Sequence, residues 1–148
     1  MNVPREQIYS ALFNTLQSSL GGTFATISRR RRMPAQVSAE SRPALFQVQT
    51  GERAKTNANG EPIVWIATVN LVLYTQGSGD EQTIPSQELN ALLDAVEAAL
   101  KPAPNADGKQ TLGGQVSHCR LQGDVHIIEN VNGAAALAVM GVEILTTA

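Results

Sequence analysis

The chain holds one cysteine, Cys119, and two histidines, His118 and His126, in 148 residues. A single thiol excludes an intramolecular disulfide, so the fold does not depend on an oxidising compartment. So few imidazole and thiol groups leave little material for a Ser/His/Asp or Cys/His nucleophile. The glycine signatures of nucleotide and hydrolase sites, GxxxxGK[ST], GxGxxG and GxSxG, are missing, and "GSGD" at 77–80 lacks the spacing of a phosphate cradle. No apolar run approaches the ~20 residues of a membrane helix. "IVWIATVNLVLY" (63–74) is shorter and is interrupted by Thr68 and Asn70. The start, "MNVPREQIYS", has no apolar centre of a signal peptide. The expectation is a soluble, non-enzymatic protein made in a cytoplasm, with no cofactor and no membrane partner.

What is present describes an ordinary folded domain. Apolar residues make up 43% and charged residues 16% of the chain. Residues 1–148 are expected to form one domain that buries roughly 70% of its unfolded surface. In "PREQIYSALFNTLQSSL" (4–20), Ile8, Leu12, Leu16 and Leu20 line one helix face, opened by Pro4 and stopped by Gly21-Gly22. "TFATISRR" and "PALFQVQTGE" then alternate as strands, with Pro43 at the first position of the second. In 63–77, Trp65, Ala67, Val69, Leu71 and Leu73 share a core face, while Ile66, Thr68, Asn70, Val72 and Tyr74 make a mixed one. The polar "GERAKTNANGEP" (51–62) between them, with its Asn59-Gly60 turn signal, predicts a long hairpin reaching past the sheet.

A second amphipathic helix follows in "SQELNALLDAVEAALKP" (86–102), carried by Leu89, Leu92, Leu93, Val96 and Leu100 and ended by Pro102. Its other side is acidic, with Glu88, Asp94 and Glu97. The remainder predicts a closing hairpin, with Gly123 at a turn or bulge and Asn132-Gly133 at its tip. The order α-β-β-β-α-β-β makes an α+β fold: an antiparallel or mixed sheet packed against two helices, with a long β-hairpin.

The nearest approach to a metal set is His118, Cys119, Asp124 and His126. On a strand, neighbouring side chains point to opposite faces, and His118 lies ~26 Å from His126 at ~3.3 Å per residue. That spacing does not make a zinc-type cluster, so no metal is expected.

Charge is unevenly placed. Residues 1–55 carry eight Arg or Lys against three Glu, and residues 56–148 carry three against ten Asp or Glu, within a net charge of −2. Four consecutive arginines, Arg29 to Arg32, dominate the basic part. Subunit or partner contact, solvated charge, proximity to nucleic acid and a localisation signal are all open to them. Interleaved aromatics are lacking, no DNA-binding motif accompanies the run, and the pI is about 5.6. The preferred expectation is contact between subunits or rings through acidic partners, with Asp94 and Glu97 as candidates and DNA contact secondary. On a strand the run divides into Arg29/Arg31 and Arg30/Arg32, one pair on each face.

The ordered set "RPALFQVQTGE" (42–52), "ELNALLDAVEAALKP" (88–102), "TLGGQVSHCRLQGDV" (111–125) and "AVMGVEIL" (138–145) resembles the tail terminator, or tail completion, proteins of long-tailed bacteriophages. The resemblance spans nearly the whole chain. It implies a non-catalytic virion protein, assembled in the host cytoplasm and placed at the head-proximal end of the tail. There it forms a ring, usually a hexamer, that stops polymerisation of the tail tube and offers a head–tail joining surface. The implied partners are further copies of itself, the tail tube protein, a head-completion or neck protein, and phage DNA passing through the pore without sequence-specific binding. The arginine run is not part of the family pattern. Alternatives are another neck or connector ring, a tail tube subunit, or a DNA-binding accessory protein that uses Arg29 to Arg32.

Overall fold

The protein, represented by a computed structural model, is described over residues 1–77, 80–104, 107–131 and 135–147, with backbone alone at 130 and 131. Helix α1 (Arg5–Leu20) is followed by a short strand, β1 (Thr26–Ser28). Two single-turn 3₁₀ segments, Pro34–Gln36 and Ala39–Ser41, lead into β2 (Ala44–Thr56) and β3 (Pro62–Tyr74). Helix α2 (Pro85–Ala99) precedes β4 (His118–Val131) and β5 (Ala135–Thr147). The five strands form one mixed sheet in the order β1-β2-β3-β5-β4. Among the described residues, only the β1–β2 pairing is parallel. The architecture is α+β, with the element order read from the sequence.

Both helices pack on one face. Ile8, Leu12 and Leu16 of α1 and Leu89, Leu92 and Val96 of α2 are buried against Val69, Leu71 and Leu73 of β3 and Met140, Val142 and Ile144 of β5. These are the apolar stripes that helical and strand periodicity placed together. Gln47 ties β2 to the first helix by donating from Nε2 to the Tyr9 carbonyl at 2.9 Å. Leu93 departs from expectation: it is half-buried, packed on the margin of the cluster rather than within it.

The opposite face is covered at one end only. Val37, Ala44, Phe46, Val72, Tyr74 and Leu137 form a smaller buried cluster. Phe46 and Tyr74 meet edge to face with centroids 5.4 Å apart. Val37 anchors the segment after β1 onto this cluster, so the mixed face of β3 is apolar where that segment crosses it and polar at Thr68 and Asn70.

The long hairpin is present: β2 continues to Thr56, β3 starts at Pro62, and the turn is confined to Asn57–Glu61. Two other sequence expectations need correction. The β3 arm does not project past the sheet, because β5 accompanies it as far as Val64↔Thr147. The strand expected across "TFATISRR" ends at Ser28, where the Oγ accepts the Arg30 N–H at 3.0 Å and bends the chain. Gly123 does sit at a bulge, between the paired Leu121 and Val125, with φ at +84°. The expected Asn132-Gly133 turn lies outside the described residues.

Candidate assembly surface

The arginine run is not part of the strand and bends at Arg29 and Arg30, so its members are not sorted by strand alternation; each has its own surroundings. Arg29 is committed within the chain. Its guanidinium pairs with the Glu6 carboxylate of α1 and donates to Gln49 Oε1 at 3.0 Å. This contact, with a further hydrogen bond from Ser10, holds the Glu6 carboxyl below the usual carboxylate range. Arg31 Nε reaches the Tyr74 hydroxyl at 3.5 Å. The Arg32 guanidinium lies over the Phe46 ring at 5.9 Å from its centroid, and its carbonyl accepts the Tyr74 O–H at 2.8 Å. Tyr74 thus fixes the backbone of the run to the second face.

Arg30, Arg31 and Arg32 make no ion pair among the described residues. Together with Ser28 and Gln36 they line a shallow basic depression next to β1. Asp94 and Glu97, the expected acidic partners, lie on the exposed side of α2. No described ion pair joins them to the arginines within the chain. The sequence-predicted set is therefore divided: one arginine is paired internally, three are available, and the two acids stand elsewhere.

The residues weighed as metal ligands are also dispersed. Cys119 is buried in the main cluster, and burial pushes its thiol up to about 12. His118 Nδ1 accepts the Gln110 N–H at 3.2 Å, while His126 is exposed further along β4. Among the described residues, no group of three or more His, Cys, Asp or Glu is placed to hold a metal ion. No described helix is long and apolar enough to cross a membrane.

Two features escaped the sequence reading. The first is a hub at Glu52 on β2. Its carboxylate accepts Arg5 Nε at 2.7 Å and the Tyr9 hydroxyl at 3.0 Å, and Arg5 also lies over Trp65 at 5.2 Å. It ties the start of α1 to the middle hairpin through residues far apart in sequence. Burial, and after it the bond to Glu52, push the Tyr9 phenol up to about 12.

The second is the outer edge of β4. Beyond Cys119, whose N–H donates to the Gln110 carbonyl at 2.8 Å, no described backbone hydrogen bond leaves β4 except to β5. Here Val125, Ile127 and Ile128 are 44%, 47% and 56% exposed. Val125 and Ile127 share the helix-bearing face with Met140 and Ala138, and Ile128 shares the other with Leu137. The signal was present in "DVHIIE": β-branched residues of both parities, where a one-sided strand alternates with polar ones.

No protein-family model matches the chain, and a search of curated proteins returns no significant match.

Proposed function

We propose that the chain is a structural subunit of a phage tail, a tail terminator whose copies close into a hexameric ring on the head-proximal end of the tube. The ring halts tube growth, offers a surface to a head-completion or neck protein, and leaves a pore for DNA. Its work is assembly rather than catalysis. Support comes from the ordered resemblance, whose four segments fall mainly on β2, α2, the approach to β4 with its first half, and β5. The observation that carries the assembly reading is the uncovered edge of β4. An open edge with exposed β-branched side chains on both faces is a template for pairing with another chain.

Electron microscopy of the purified protein, alone and with tail tubes, tests this reading. Closed rings seated on tube ends are expected. Rings that never seat on tubes would favour another neck component, long filaments would favour a tube subunit, and neither rings nor caps would refute the proposal. A second reading, DNA contact, is favoured by the three arginines without carboxylate partners beside β1. It requires affinity for DNA that falls steeply with salt.

A further inference from the structure

We infer that copies of this chain join edge to edge and head to tail, β4 of one lying antiparallel to β1 and the arginine segment of the next. The inference rests on the ring reading and names the surface that would build the ring. Register, strand polarity and charge support it independently.

The two outer strands occupy the same rows of the sheet. Thr26, Ala44, Tyr74, Leu137 and Ile128 are successive cross-strand partners, as are Ser28, Phe46, Val72, Val139 and His126. Between these rows, Ile27 and Ile127 are linked through Leu45, Leu73 and Ala138. Two copies set side by side in one orientation, without a shift along the strands, therefore bring 126–128 of one against 26–28 of the other. Ile127 then meets Ile27, which is half-buried on the same helix-bearing face. β1 runs parallel to β2, while β4 runs opposite to it, so the new pair is antiparallel, as its neighbours in the sheet mostly are. No described backbone hydrogen bond from Ile27 or Ser28 points away from β2.

Charge fits this arrangement. Asp124 and Glu129 flank the apolar stretch of β4, and neither makes a described ion pair. Head-to-tail pairing places Asp124, on the bulge just before the paired stretch of β4, on the side of the Ser28 row from which the arginine segment leaves β1. It offers Arg30, which has no described ion pair, an acidic group at the joined edge. Such an interface is heterologous, the kind that closes into a ring when its rotation permits.

Cysteine cross-linking tests the pairing, because the native thiol is buried. The double variant Ser28→Cys/His126→Cys should, on mild oxidation, yield a ladder of covalent multimers up to the ring size. A mixture of the two single variants should stop at dimers, and each single variant alone should remain uncross-linked. Dimers from His126→Cys alone would overturn the proposal in favour of two-fold pairing. Electron microscopy of the same samples separates the two readings. Rings without a ladder overturn the edge pairing and leave the ring standing; a ladder on open filaments supports the pairing and removes the terminator; monomers with neither remove both. Reversal of Arg30→Asp or Asp124→Arg should lower the ladder yield about fivefold below saturation, as expected of an exposed pair. Combining the two reversals should restore it; equal loss in the combined variant would overturn the Arg30–Asp124 contact.

Discussion

Replacement of Gly141 by alanine tests whether the bulge in β4 is held against β5. Gly141 has no unusual φ, so a side chain there is resisted by space alone. A methyl group at this position would stand 2.5 Å from the Gln122 carbonyl oxygen, where ordinary contact begins at 3.4 Å. The obstructing atom is backbone, so relief requires the arch of residues 122–124 to lift. Overfilling of this kind costs about 1–3 kcal/mol. Against it, losing a glycine restricts the unfolded chain and returns ~0.4–1 kcal/mol. The net expectation is a loss of about 1–2 kcal/mol for Gly141→Ala in urea denaturation. Gly51→Ala is the control: its nearest new contact is Thr68 Oγ1 at 3.7 Å and its φ is also ordinary. That variant should gain ~0.4–1 kcal/mol over the parent. Hydrogen exchange should quicken in β4 of Gly141→Ala and stay unchanged in α1. Equal stability of the two variants would refute the reasoning and mean that the arch is not pressed onto β5.

Leu16→Ala, at a fully buried position, should lose about 2–5 kcal/mol, whereas the half-buried Leu93→Ala should lose about half as much. Equal losses in chemical denaturation would mean that Leu93 belongs to the centre of the core. The protonated Tyr9 phenol is the folded form, with its pKa raised to about 12, so the stability it contributes is intact below about pH 10 and lost as pH rises through 12. Ultraviolet titration should show a tyrosine step near pH 12 that disappears in Tyr9→Phe; a native Tyr9 ionising at an ordinary value would contradict the burial.

Much of the fold was legible because its signals are periodic and local. Four-residue spacing located α1, an i, i+3, i+4 stripe located α2, and alternation assigned both faces of β3. The arginine run failed for a local reason as well, since the Ser28 hydroxyl takes the Arg30 N–H and ends the extended chain earlier than composition suggests. Leu93 satisfies the helical pattern yet sits at the edge, because the width of a buried stripe depends on what lies opposite. The Glu52 hub joins positions 5, 9, 52 and 65, which no sequence period relates. The exposed edge of β4 belongs to the sheet order: the same "VHII" would be unremarkable in a central strand.

The two ends of the sheet are unlike. The Asn57–Glu61 turn shares its end with Thr147 and with Asn2, whose N–H donates to the Thr147 carbonyl at 3.3 Å. Thr75, which bonds Ala136, lies at the other end with β1 and the arginine segment. The molecule is therefore vectorial along its strands, with one pole of polar turn and the other bearing the basic segment. Copies held in a common orientation would present two unlike surfaces, so a layer of them has a direction. Such a layer need not template a second layer of itself, and it can meet different proteins above and below.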